Sequence, residues 1–378
     1  MFYLLLLLIL LIYLGVEYIW LVKSLQKIPT RILVNGTRGK STIVKVIREI
    51  LQQSGQKVFA KTSGNQPLEY LPDGQTKIIL RHAPASIIEN ISILRRWVKE
   101  SPEVVVMECM ALQSETQHHL SSHIFKPNYI LISNIHLDHA EAMGNKFEEM
   151  VSTILECVNN NANILTTNQV AEKLKQFGKS LENIHIAKAE GFPEKFDSIP
   201  SQIVDQNWSL IKTLTDQLNI DQSIAYRSFF EIHRSIDSTV YTKILNLNYS
   251  FWNLFSINDQ ESTAMFIRHS QNNNCPETQK IILFNARSDR PLRTKQFVEL
   301  VCQEFPKNIT IWITGTGNRL AKNLFGRKKL SFEFVTLMSP RKVIDKLKSK
   351  FDVPATIYGI GNHHGMQEII EHILKIES

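Results

Sequence analysis

Cysteine is scarce in this chain. The four residues, Cys109, Cys157, Cys275 and Cys302, are too scattered for the paired spacing of a zinc site or a disulfide framework. That usage suits a reducing cytosol. Internal repeats are absent, and the only low-complexity tract is a leucine run near the amino terminus, so repeat and disordered classes are excluded. A stripe of positive charge is missing too. Lys and Arg number 43 against 36 Asp and Glu, a net charge of +7, but they are spread along the sequence. No nucleic-acid partner is therefore expected, and the excess suits phosphate-bearing or acidic ligands. What the chain does have is length, since 378 residues can bury the cores of two or three domains.

It also has one long apolar run. Phe2 to Val22 contains a single charge, Glu17, and matches a transmembrane helix of about 20 residues. A cleavable signal peptide is the alternative, yet no basic stretch precedes the run and no small-residue cleavage site follows it. An uncleaved anchor over residues 1–22 is expected. Lys23, Lys27 and Arg31 come next, so the positive-inside rule places the remainder in the cytoplasm. The expectation is a single-pass protein of the cytoplasmic membrane, with residues 23–31 as a linker and a part beginning near Lys23 that is soluble by itself.

Directly after that linker stands "RILVNGTRGKST", Arg31 to Thr42. Ile32-Leu33-Val34 reads as a buried strand, Asn35 to Gly39 as a tight turn, and a helix begins at about Ser41. Gly36 and Gly39 can adopt dihedrals that point successive amides inward, and the helix adds its positive end, so the turn cradles an anion. Asn35, Gly36, Thr37, Arg38, Gly39, Lys40, Ser41 and Thr42 form the candidate nucleotide cradle. Lys40 would reach the outer phosphates and the Ser41 hydroxyl would ligate Mg²⁺. Ile43, Val46, Ile47, Ile50 and Leu51 fall on one helical face, and Gly55 closes the end. The spacing is the short G-x-x-G-K-S-T form, and the plain alternative is a glycine turn with a solvated Lys40.

Strand and helix signals alternate in two blocks. "EVVVME" (Glu103 to Glu108), "NYILISN" (Asn128 to Asn134), "NILTT" and "NIHIAK" continue the first, and "KIILFNA", "TIWITG", "FEFVTL" and "ATIYGIG" make the second. Such alternation predicts an α/β fold with largely parallel sheets. We place the boundary near Ser238, giving an ATP-binding domain over 23–238 and a Rossmann-like domain over 239–378.

Ligands of open α/β sheets bind beyond the carboxyl ends of strands. Glu108 closes the apolar run Val104 to Met107, and "SNIHLDH" places Asn134, His136, Asp138 and His139 after the next strand. A carboxylate and an imidazole beside phosphates suit a divalent ion, Mg²⁺ with room for a softer Mn²⁺. Taken singly, Glu108 reads as a surface carboxylate and His139 as a satisfied histidine; together with the phosphate loop they read as metal ligands. In the second block Arg287, Arg290 and Arg293 can clamp carboxylates, and His363 and His364 of "GNHHG" can donate to an anion. Solvated charges and an ordinary glycine loop are the alternatives there.

These residues, in this order, resemble the Mur ligase superfamily of ATP-dependent amide ligases. "NGTRGKST" is similar to its short phosphate loop, "ECM" and "SNIHLDH" resemble its metal-binding elements, and Asn207 and Arg234 fall where it contacts nucleotide. More narrowly, the anchor, "KTSG", "ECMALQSETQ", "LDHAEAMG", "SINDQEST", "NARSDRPLRTKQF" and "YGIGNHHG" resemble the ligase subunits of poly-γ-glutamate synthases. The resemblance implies a Mur-ligase-like fold and the addition of glutamate to a growing poly-γ-glutamate chain through an acyl phosphate. It further implies ATP contacts from Arg234 and Asp259, metal ions on Ser41, Glu108 and His139, and catalytic roles for Lys40, Glu108 and His139. Small integral-membrane subunits of a synthase and export complex are the implied partners. A folylpolyglutamate-synthase-like ligase, another amino-acid ligase, or a membrane-anchored nucleotide-binding assembly factor are the alternatives.

Overall fold

The computed structural model describes residues 2–64, 66–81, 86–135, 147–159, 161–177, 183–257, 259–273, 279–305, 309–328, 333–337, 339–348 and 351–377. The chain divides into two compact units: Met1–Phe192 with Val204–Ile232, and Pro193–Ile203 with His233–Ser378.

The first unit is built on eight strands: β1 (Thr30–Asn35), β2 (Val58–Thr62), β3 (Leu68–Tyr70), β4 (Thr76–Ile78), β5 (Val104–Glu108), β6 (Tyr129–Ile132), β7 (Asn163–Thr167) and β8 (Ile184–Ala187). Their spatial order is β4-β3-β2-β5-β1-β6-β7-β8. The β2–β3 and β3–β4 pairs are antiparallel, and the other pairs are parallel. All five residues of β5 are buried, as expected of a parallel strand covered on both faces. The helix Lys40–Gln53 packs on this sheet through Ile43, Val44, Val46, Ile47, Ile50 and Leu51, each buried at helical spacing. Burying each such side chain stabilises by about 1.5–3 kcal/mol.

The second unit holds β9 (Tyr241–Ile244), β10 (Tyr249–Asn253), β11 (Gln279–Asn285), β12 (Thr310–Thr314), β13 (Glu333–Thr336) and β14 (Ala355–Gly361). They lie in the order β13-β12-β11-β14-β10-β9, parallel except for β9. Ile281, Leu283, Trp312, Ile357 and Ile369 are among its core.

One helix, Phe2–Gln26, is long and apolar enough to cross a membrane by length and composition. It does not stop at Val22. Leu21, Leu25 and then Ile28 recur at helical spacing and are buried with Trp97 and Phe125 in the core of the first unit, so the expected linker is largely structured. Arg31 ties the exit turn, its guanidinium donating to the carbonyls of Leu25 (3.0 Å) and Ile28 (2.6 Å). A part beginning at Lys23 would leave Leu21 out of that core.

Candidate functional site

The phosphate loop leaves β1 and turns at two glycines. Gly36 sits at φ +120° with no room for a side chain, since a Cβ there would lie 2.4 Å from Ser133 Oγ. Gly39 sits at φ +78° and opens the helix Lys40–Gln53. Its first helical bond runs from Ile43 N–H to the Gly39 carbonyl (2.9 Å), so the amides of the first turn project from the helix end. This is the geometry that attracts phosphate.

The loop is gripped from β6. Asn134 Oδ1 accepts from the Thr37 hydroxyl (2.8 Å) and the Arg38 amide (2.9 Å), while Ser133 Oγ donates to the Arg38 carbonyl (2.7 Å). Asn35 spends its amide within the protein: Oδ1 accepts from the Gly36 amide (2.8 Å) and Nδ2 donates to Gln117 Oε1 (2.7 Å). It shapes the loop from beneath. Lys40 Nζ donates to the carbonyls of Gly36 (2.7 Å) and Thr37 (3.3 Å), so its ammonium lies over the loop. Asn207, on the helix Ser201–Gln217, stands against the loop, its Oδ1 3.4 Å from where a Gly39 Cβ would be.

Ser41 and Glu108 meet. The Ser41 hydroxyl donates to Glu108 Oε2 (2.8 Å), which also accepts the Ser63 amide (2.8 Å). Glu108 is 4% exposed at the end of β5, beside β1 in the sheet. A hydroxyl and a carboxylate at a phosphate loop form the hard oxygen donor set that Mg²⁺ prefers. Among the described residues no group of three or more His, Cys, Asp or Glu could hold a metal ion. His136, Asp138 and His139 lie outside the described residues.

Lys61 and its partners gave no sequence signal beyond the quoted "KTSG". Fully buried on β2, it pairs with Glu89 Oε1 (2.7 Å) and donates to Asn90 Oδ1. Burial pulls its ammonium below the usual lysine range, against the hydrogen bond to Glu89. Burial pushes the Glu89 carboxyl upward, but hydrogen bonds from Arg81 and Lys61 prevail and hold it at about 2. Cys109 is buried next to Glu108, and burial pushes its thiol up to about 11. Such a thiol is no nucleophile at neutral pH.

In the second unit three strand ends converge. Asn285, at the end of β11, donates from Nδ2 to the carbonyls of Asn362 (2.5 Å) and His364 (3.0 Å) beyond β14. Gly361 at φ +109° passes so close that a Cβ would lie 2.4 Å from the Asn285 carbonyl. Gly317, in the loop after β12, likewise presses on the Arg287 backbone. Arg287 and the His363-His364 turn are thereby drawn together beyond the carboxyl ends of the central strands β11 and β14. Arg287 itself forks onto Asp289 (2.9 and 2.6 Å). Arg290 occupies the N-cap position of the helix Pro291–Glu304, which contains Arg293. Burial, then the neighbouring His364, pull the His363 imidazole below the ordinary histidine range. Asn285, which opens the quoted "NARSDRPLRTKQF", and the "TGTGN" turn (Thr314 to Asn318) carry no role in the expectations from sequence; glycines directly after a strand were the available signal. Arg234 is exposed on the helix Gln222–Val240, and Asp259 caps the helix Gln260–Asn273 by accepting the Ser262 amide (2.7 Å). Both belong to the second unit.

Residues 34–217 match the Mur ligase middle domain, and residues 242–376 match the poly-gamma-glutamate synthase CapB C-terminal domain. A capsule biosynthesis protein CapB of Bacillus anthracis is 25% identical over 368 residues, covering 93% of this chain and 78% of that protein. The PGA synthase CapB of Bacillus subtilis is 26% identical over 365 residues, covering 93% and 92%. Among solved structures, a Yersinia pestis bifunctional folylpolyglutamate synthase/dihydrofolate synthase with AMPPNP and Mn ion superposes with a TM-score of 0.66. It is 10% identical and covers 95% of this chain and 93% of its own. FolC of E. coli with DHPP and ADP gives 0.64 at 12% identity over 96% and 93%. At such identities these two speak for the fold alone. The chain thus carries a Mur ligase middle domain followed by a poly-gamma-glutamate synthase CapB C-terminal domain, and it is similar to CapB proteins over 93% of its length.

Proposed function

We propose that this chain is an ATP-dependent, ADP-forming ligase that lengthens poly-γ-glutamate from the cytoplasmic side of a membrane. One observation carries the reading: a phosphate loop whose Ser41 meets Glu108 at 2.8 Å stands in the same chain as a CapB C-terminal domain. The loop amides and Lys40 hold the triphosphate, with Asn207, Arg234 and Asp259 as further nucleotide contacts. Ser41 and Glu108, joined by His139, would hold Mg²⁺ or Mn²⁺, which offsets the phosphate charge when bound.

A carboxylate oxygen of the polymer end attacks the γ-phosphorus, the bond to the bridging oxygen breaks, and ADP leaves. The amine of the next glutamate then attacks the acyl carbon. The carbon–oxygen bond to phosphate breaks, phosphate departs, and the amine's proton passes to water. Lys40 stabilises the charge moving through the phosphoryl group. Arg287, Arg290, Arg293, His363 and His364 orient the carboxylates of the incoming glutamate and chain end. Phe2–Gln26 holds the enzyme beside small integral-membrane subunits that receive the polyanion, raising their effective concentration.

The test is nucleotide turnover by the purified full-length chain with glutamate and a γ-linked glutamate primer. ADP release that requires both, with lengthened γ-linked product, is the expected result. Release indifferent to glutamate would leave a nucleotide-binding assembly factor, and a requirement for a folate acceptor would leave a folylpolyglutamate synthase.

A further inference from the structure

The sole charge of the apolar run already has a partner on the soluble unit: Glu17 is held by Arg95 Nη2 at 2.9 Å. One residue on, the Tyr18 hydroxyl donates to the His123 carbonyl (3.2 Å). The helix Phe2–Gln26 is thus packed along segments 95–100 and 118–125 before its apolar stretch ends. That stretch gives way to Lys23, and Lys23 and Lys27 are both exposed. At about 1.5 Å per residue, Tyr18 and Glu17 lie roughly 7–9 Å on the apolar side of that change. The headgroup layer on each side of a bilayer is only about 5–7 Å deep. Tyr18 and Trp20, 44% and 43% exposed, are also the residue types that sit at headgroup level.

We infer that the face of the first unit around the anchor, carried by residues 95–100 and 118–123, rests in the headgroup layer of the membrane and binds lipid phosphates. The inference rests on reading Phe2–Gln26 as a membrane anchor. Arg96, Lys99, His118, His119 and His123 are exposed on those two segments, with Glu100 as an opposing charge. Arg96 already pairs with Glu69 (2.5 Å), and His118 Nδ1 lies 3.9 Å from Glu156. Lys99, His119 and His123, joined by Lys23 and Lys27, supply the remaining donors. The chain passes from the anchor into the amino end of β1, whereas the phosphate loop leaves its carboxyl end. Six residues of strand, about 20 Å in length, separate the anchor's exit from that loop.

Depth-dependent quenching tests this on the full-length chain in phosphatidylcholine and phosphatidylglycerol vesicles. Cys275 and Cys302 are replaced by serine, and the buried Cys109 and Cys157 are kept. A fluorophore is attached in turn at Leu8→Cys in the anchor, at Lys99→Cys and His119→Cys on the proposed face, and at Gln66→Cys beyond the carboxyl end of β2. Loss of fluorescence at Leu8 with a nitroxide deep in the acyl chains, and at Lys99 and His119 with a headgroup nitroxide, is expected, with Gln66 spared. Quenching at Leu8 alone, or equal quenching at Gln66, would overturn the seated face while keeping the anchor. No quenching at Leu8 would overturn the anchor reading beneath it.

Discussion

Lys40, Ser41 and Glu108 occupy three consecutive tasks at the loop: charge, hydroxyl and carboxylate. Lys40→Ala is expected to lower ATP turnover by at least about 10²-fold, the usual effect of removing one preorganised electrostatic group. Circular dichroism should show the fold unchanged. Glu108→Gln keeps the shape and removes the charge, so the Mg²⁺ or Mn²⁺ concentration for half-maximal turnover should rise; an unmoved metal titration would leave Glu108 as a structural acceptor for Ser63. Cys109 makes the opposite prediction. Its thiol, pushed up to about 11 by burial, should resist alkylation at neutral pH in the folded protein, and Cys109→Ala should retain turnover. The alternation of residue types made these positions legible, because Gly36, Gly39, Lys40 and Ser41 are local to one turn and Glu108 ends one apolar run. Lys61 was not legible. Nothing in its flanks announces Glu89 and Asn90, which come from a distant helix (Ile87–Trp97).

Among elements, the corner formed by β2, β3 and that helix depends on the Lys61–Glu89–Arg81 cluster. Glu89 is held at about 2, below its ordinary value of 4.5, so the cluster's stabilisation is complete above pH 4.5 and is lost as pH falls toward 2. Thermal melts should therefore separate wild type from Glu89→Gln at pH 6 and bring the two together as pH approaches 2. A constant gap across that range would show that Glu89 does not titrate with folding. Strands and helices themselves were readable from periodicity: the face Ile43, Val46, Ile47, Ile50 and Leu51 is the buried one. The end of the amino-terminal helix was not. Apolar length alone stops at Val22, while the packing of Leu21, Leu25 and Ile28 carries the helix to Gln26. That difference depends on Trp97 and Phe125, which no window around the anchor contains.

For the whole molecule, the partition into units shows what local pattern cannot supply. Pro193–Ile203 belongs with the second unit although it runs into the helix Ser201–Gln217, most of which belongs to the first. Only long-range contacts reveal such an excursion. Each unit carries its own strand-end cluster, one around Ser41 and Glu108 and one around Asn285 and His364; in the proposed reaction the first would handle the phosphoryl group and the second the carboxylates. The proposed acyl phosphate would leave an isotopic trace. Poly-γ-glutamate primer labelled with ¹⁸O in its terminal carboxylate should be extended with ATP and glutamate by the full-length chain, and the released phosphate analysed by mass spectrometry. One ¹⁸O transferred to inorganic phosphate for each amide bond formed, with ADP as the nucleotide product, is the result this account predicts; ¹⁸O appearing in AMP, or no label in phosphate while the polymer grows, would contradict it.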